Sequence, residues 1–211
     1  MTAFFTHCWK SARLDFAALM CCAALTCGLP QLARAESVAA EVALLEVERN
    51  ADSLLLTAGV KFELPTAVED ALLKGVPVIF VAEADVLRER WYWLDKKVAS
   101  TERHMRLVYQ PLTRRWRLSV SSGLIPGSGL GVGLNLTFDS LEDVLAAIRR
   151  VSGWRIAELA DLDPGGRYRV DFHFRLDVSQ LPRPLQIGAL GQSDWTLAAA
   201  ATRRLVPENL K

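Results

Sequence analysis

The sequence predicts an α+β, β-rich domain, an antiparallel sheet or β-sandwich carrying two inserted helices. Three observations predict it. The stretch Y-R-V-D-F-H-F-R-L-D-V, residues 168–178, alternates strictly, with Tyr168, Val170, Phe172, Phe174, Leu176 and Val178 on one face and Arg169, Asp171, His173, Arg175 and Asp177 on the other. One buried and one wet face is the mark of an antiparallel sheet, because parallel strands covered on both sides read as continuous apolar runs. Shorter alternating runs recur along the chain, separated by turn residues. Only two segments switch to helical spacing.

The elements follow in order. Lys10 and Arg13 precede an apolar run from Phe16 to Leu29, and Ala33-Arg34-Ala35 has the A-x-A form of a cleavage site. This reads as a signal peptide over 1–35, cut before Glu36, and as an extracytoplasmic, periplasmic destination. The run is too short for a spanning helix of about 20 residues. A single domain over 36–211 is expected after it.

Val42 to Val47 is a strand whose register is open, because Leu44 and Leu45 are adjacent. Leu54, Leu56, Ala58, Val60 and Phe62 form the apolar face of the next. Thr66 and Glu69 spell a T-x-x-E capping box, with Val68, Ala71 and Leu72 on one helical face and Gly75 as the stop. Val78 to Leu87 is more apolar and reads as a central strand.

Trp91-Tyr92-Trp93 then extends that pattern. Alternation would send Trp91 and Trp93 into the core and leave Tyr92 near the surface. Arg90 and Tyr92 are therefore the residues expected to touch a partner, since exposed Tyr and Arg are frequent anchors.

Met105, Leu107 and Tyr109 lead through the turn Pro111 to Arg114 into Trp116, Leu118 and Val120, a hairpin. The glycine-rich stretch Ser121 to Asn135 reads as a loop. Leu141, Val144, Leu145, Ile148 and Val151 give a second helix opening at Asp139-Ser140 and closing at Gly153. Trp154 to Leu159 resumes as a strand, and Asp163-Pro164-Gly165-Gly166 turns the chain into the long strand. Seven or eight strands result.

Composition narrows the chemistry. All four cysteines, Cys8, Cys21, Cys22 and Cys27, lie in the signal segment, which leaves the mature chain no disulfide and no thiolate nucleophile. Of 25 basic and 24 acidic residues, Lys10, Arg13, Arg34 and Asp15 also fall there, leaving 22 and 23. Such a balance implies attraction neither to nucleic acid nor to an anionic membrane.

Gly129, Gly131 and Gly133 mimic a phosphate loop, but no helix opens behind them and no G-K-[ST] follows. The N-L-T sequon at 135–137 matters only in a eukaryotic secretory route. His104 and His173 could bind a metal with nearby carboxylates if their strands were adjacent; the simpler reading makes them satisfied surface histidines. Glu83 and Asp85 share a strand face, where solvation or pairing with Arg88 and Arg90 is simpler than acid–base work. No G-x-S-x-G marks a serine nucleophile. No catalytic residue, metal site or cofactor is expected.

Several stretches together resemble the DUF4390 family, a domain of unknown function in signal-bearing proteobacterial envelope proteins. They are Phe62-Glu63-Leu64-Pro65, Lys74-Gly75-Val76-Pro77, Arg90 to Asp95, Tyr109 to Arg114, Leu176 to Pro184, and Trp195. The stretch 121–135 is longer and richer in glycine than the family pattern. The resemblance implies export and this domain, and it brings no activity, cofactor or catalytic residue. It also implies that relatives are often encoded beside a membrane sensor histidine kinase, an association and not a mechanism.

The functional expectation is a non-catalytic periplasmic or envelope protein that binds another protein of the envelope, with a membrane-anchored protein such as a sensor kinase among the candidate partners. The alternative is a carrier of a hydrophobic ligand, in a pocket enclosed by a curved sheet. A hydrolase using dispersed carboxylates is a third reading.

Overall fold

The computed structural model describes residues 40–92, 94–122, 133–163, 165–183, 185–186 and 195–205. The expected signal peptide, Trp93 and residues 123–132 of the glycine stretch lie outside them. Nine strands and two α-helices are present among the described residues, in two antiparallel sheets. The β-rich α+β architecture predicted from the alternation is the one observed.

The smaller sheet contains β1 (Glu41–Arg49), β2 (Ser53–Lys61) and β7 (Arg150–Glu158), in the order β1-β2-β7. The larger has the order β6-β5-β4-β3-β8-β9. Its strands are β3 (Val78–Arg88), β4 (Lys96–Gln110), β5 (Arg115–Ser122), β6 (Leu134–Phe138), β8 (Tyr168–Asp177) and β9 (Ala198–Leu205). Helix α1 (Thr66–Leu73) carries the chain from the small sheet to the large one, and α2 (Leu141–Arg149) carries it back. A 3-10 turn at Leu159–Asp161 begins the final return.

The core lies between the sheets. Leu54, Leu56, Ala58, Val60 and Phe62 face it from β2 and its end, and Val151, Trp154 and Ile156 face it from β7. Phe80, Ala82, Ala84 and Val86 oppose them from β3, and Tyr168, Val170, Phe172, Phe174 and Leu176 from β8. Phe62, Phe80 and Phe174 stack with ring centroids 5.5–5.9 Å apart and join the two layers. The hairpin pairs Leu107 with Leu118 and Tyr109 with Trp116, as its alternation requires.

Local details differ from expectation in instructive ways. Thr66 is not a cap. It is the first helical residue behind Pro65, and no side chain caps the helix. Proline's fixed φ already directs the entry, so the T-x-x-E box is displaced by one position. The other end follows the expected stop: Gly75 has φ +80°, and the Val76 N–H donates to Ala71 O while the Gly75 N–H donates to Leu72 O, a Schellman motif. In α2, Ser140 caps as anticipated, its hydroxyl accepting from the Asp143 N–H at 3.1 Å.

That helix ends at Arg149, not at Gly153. β7 begins at once, and Gly153 (φ +58°) sits in a bulge where Ser152 and Gly153 together oppose Thr57. The bulge keeps Val151 and Trp154, three positions apart, both buried. β1 carries a similar irregularity between Val42 and Leu44, which resolves the Leu44-Leu45 ambiguity: Leu45 is partly buried and Leu44 exposed. The last strand, β9, was not anticipated at all, because Ala198 to Ala201 has neither β-branched residues nor visible alternation. The long strand ends at Asp177, one residue short of Val178.

Candidate functional site

The connection from β3 to β4 carries the residues that sequence reasoning singled out. Arg88 pairs with Lys96 across the ladder, and residues 89–95 close the hairpin beyond it. Trp91 and Tyr92 lie in a bend and not in a strand, so alternation does not govern them. Trp91 is 93% exposed, Tyr92 68% and Leu94 92%. The expectation that Trp91 packs in the core is therefore overturned. Its physical cause is the charge on both sides: Arg88-Glu89-Arg90 and Asp95-Lys96-Lys97 hold the chain at the sheet's rim, where it leaves the ladder before the tryptophan. Trp93, paired with it in that expectation, is not among the described residues.

The base of this loop is pinned while its tip projects. Arg88 ion-pairs with Asp163 in the turn before β8. The Glu89 N–H donates to Arg167 O at 2.9 Å, and its carboxylate meets Arg204 of β9 at 3.0 Å. Asp95 accepts from the Arg90 N–H at 3.2 Å and pairs with Arg169 of β8 at 2.8 Å. Both acidic groups of the loop are thus engaged by arginines of β8 and β9. Arg90, Lys96 and the adjoining Arg167 are exposed and have no carboxylate partner among the described residues. Trp91 and Tyr92 touch each other, edge to face, and little else supports them.

The outer face of the large sheet gathers the other candidates. Glu83 stands between Glu102 of β4 and His173 of β8, and Asp85 between Ser100 and Asp171. Asp85 does not pair with Arg88 or Arg90. It holds Lys97 at 2.5 Å and accepts from Ser100 at 2.6 Å. The bond to Asp85 raises the Lys97 pKa. His173 is exposed, as its place on the wet face predicts.

His104 is not a surface histidine: it is 3% exposed, with Nε2 3.1 Å from Glu102 and Nδ1 buried without a partner. β3 runs between the strands of His104 and His173, so the adjacency a shared metal would need does not arise. Among the described residues, no three His, Asp or Glu side chains gather to hold a metal ion.

Two further places bear on ligand readings. Arg103 points to the core face opposite Ala82, lies over the Trp154 ring at 5.1 Å, and has its pKa lowered by burial. At the β1–β2 turn and the end of β7, a cavity of ≈ 270 Å³ is lined by Arg49, Asp52, Arg155, Glu158 and apolar neighbours. Its mixed charges suit water better than a hydrophobic ligand. No helix among the described residues is long and apolar enough to cross a membrane.

Against known proteins, a family model described as "Domain of unknown function (DUF4390)" matches residues 38–204. No curated protein and no solved structure matches the chain.

Proposed function

The chain belongs to the DUF4390 family, and from that premise we propose that it is an exported, non-catalytic interaction module of the cell envelope. It works by docking against a membrane-anchored protein assembly, and the β3–β4 tip is its contact surface. The observation that carries this reading is the exposure of Trp91, Tyr92 and Leu94 on a loop whose base is pinned by three ion pairs. Large apolar side chains clustered at a surface are costly to leave in water and mark contact sites. A pinned base lowers the entropy lost when the tip is ordered by a partner.

Export is supported by the A-x-A site at Ala33-Arg34-Ala35 behind an apolar run. A carrier of a hydrophobic ligand has less to rest on, since Phe62, Phe80, Phe174 and Trp154 fill the space between the sheets.

A photoreactive residue placed at Tyr92 tests the proposal in intact cells, with Leu112 as the control position. Leu112 is fully exposed on the β4–β5 turn, at the other end of β4. Adducts with a membrane-anchored protein are expected from position 92 and not from 112. Equal adducts at both, or none at 92, would overturn it.

A further inference from the structure

We infer that the β3–β4 tip seats in the headgroup layer of an anionic lipid bilayer, with Trp91, Tyr92 and Leu94 inserted and Arg90, Lys96 and Arg167 facing the phosphates. This rests on the reading of the tip as the contact surface, and it names the lipid around a membrane-anchored partner as what the tip enters.

Shape is the first argument. Trp91 and Leu94 are 93% and 92% exposed, so each projects free of the body. A headgroup layer needs only a few side chains inserted to a depth of about 5–10 Å.

Composition is the second. Trp and Tyr favour the membrane–water interface, where an apolar ring and a polar N–H or O–H are both satisfied.

Charge is the third. The loop's own acids, Glu89 and Asp95, are taken up by Arg204 and Arg169. That removes the anions that would repel phosphate from the tip and leaves Arg90, Lys96 and Arg167 as the cations there without a carboxylate partner among the described residues. Cations beside an inserted apolar tip match an anionic bilayer.

The test uses protein purified from its host and vesicles of phosphatidylethanolamine with or without phosphatidylglycerol. Co-sedimentation should require phosphatidylglycerol and weaken as salt rises. Trp91→Ala with Leu94→Ala should weaken it at least about tenfold. Arg90→Ala and Lys96→Ala should each weaken it about fivefold and flatten its salt dependence. Leu112→Ala, an exposed apolar control on another turn, should bind like wild type.

Equal binding by wild type and the Trp91/Leu94 variant overturns the inference, as does no binding to phosphatidylglycerol vesicles. No vesicle binding with adducts persisting at position 92 removes the lipid but keeps the docking function, with a protein pocket as occupant. Tip-dependent vesicle binding without any protein adduct keeps the lipid and removes the protein partner.

Discussion

The rings of Trp91 and Tyr92 meet edge to face, with centroids 4.9 Å apart and planes at 81°, on a loop that leaves both exposed. Neighbouring side chains in a strand point to opposite faces and cannot meet this way. Their contact therefore reports a bend in the chain, and it brings two aromatics onto one surface that alternation would have separated.

Neither ring supports the fold. Trp91→Ala and Tyr92→Ala should each change stability by no more than about 0.5 kcal/mol in denaturant melts, as surface substitutions do. A loss of several kcal/mol on truncating Trp91 would restore it to the core.

The long strand behaves in the opposite way. Phe172 and Phe174 are fully buried, whereas His173 between them is exposed. Phe172→Ala and Phe174→Ala should each cost about 3–5 kcal/mol, and His173→Ala should stay within about 0.5 kcal/mol. Equilibrium unfolding of the three variants would rank them.

The turn that braces the tip depends on Tyr168. Its buried hydroxyl accepts from the Asp163 N–H at 2.7 Å, and Asp163 holds Arg88. Tyr168→Phe should cost about 1 kcal/mol through that bond. A Cβ on Gly166 would meet the Tyr168 ring at 2.5 Å. Gly166→Ala should therefore destabilise strongly in the wild type and much less in a Tyr168→Ala background, a coupling that a double-mutant cycle measures.

Asp177 closes the end of β8. Burial would raise its pKa, but hydrogen bonds from Ser179 and Gln180 and the nearby Arg175 outweigh it and hold the pKa below the ordinary 3.8. A depressed carboxylate stabilises the fold above its unfolded pKa and loses that contribution as pH falls through the folded one. Asp177→Asn should thus lower the Tm at neutral pH, and the gap from wild type should close in the acid range below 3.8.

Export has its own signature. Protein recovered from the host should begin at Glu36 and contain no cysteine. Intact-mass measurement checks the start, and reductant should leave the Tm unmoved because no disulfide is present to reduce. A mass that includes residues 1–35 would contradict the cleavage.

What the sequence determined by itself is the buried face of each strongly patterned element. Leu54 to Phe62, Met105 to Tyr109, Trp116 to Val120 and Tyr168 to Leu176 each repeat a period of two, and a one-residue error would put every apolar side chain in water. The stop at Gly75 and the cap at Ser140 were also legible, because each depends on the residue's own backbone or side-chain chemistry.

Tertiary structure alone decided the rest. β9 is a strand because β8 offers its edge to Ala198–Leu205; four alanines carry no strand preference of their own. Helix α2 stops at Arg149 because β7 pairs with β2 from Arg150, with Gly153 absorbing the mismatch as a bulge. His104 is 3% exposed between its partners Val81 of β3 and Ser121 of β5, which its own charged neighbours in the sequence do not reveal. The exposed tip belongs to the same class. Whether Trp91 is core or surface depends on where β3 leaves the sheet, and that point is set by Glu89, Asp95 and Arg88 finding Arg204, Arg169 and Asp163 at separations of 115, 74 and 75 residues. Periodicity reports local repeats. Contacts between residues so far apart in the chain leave no repeat to read.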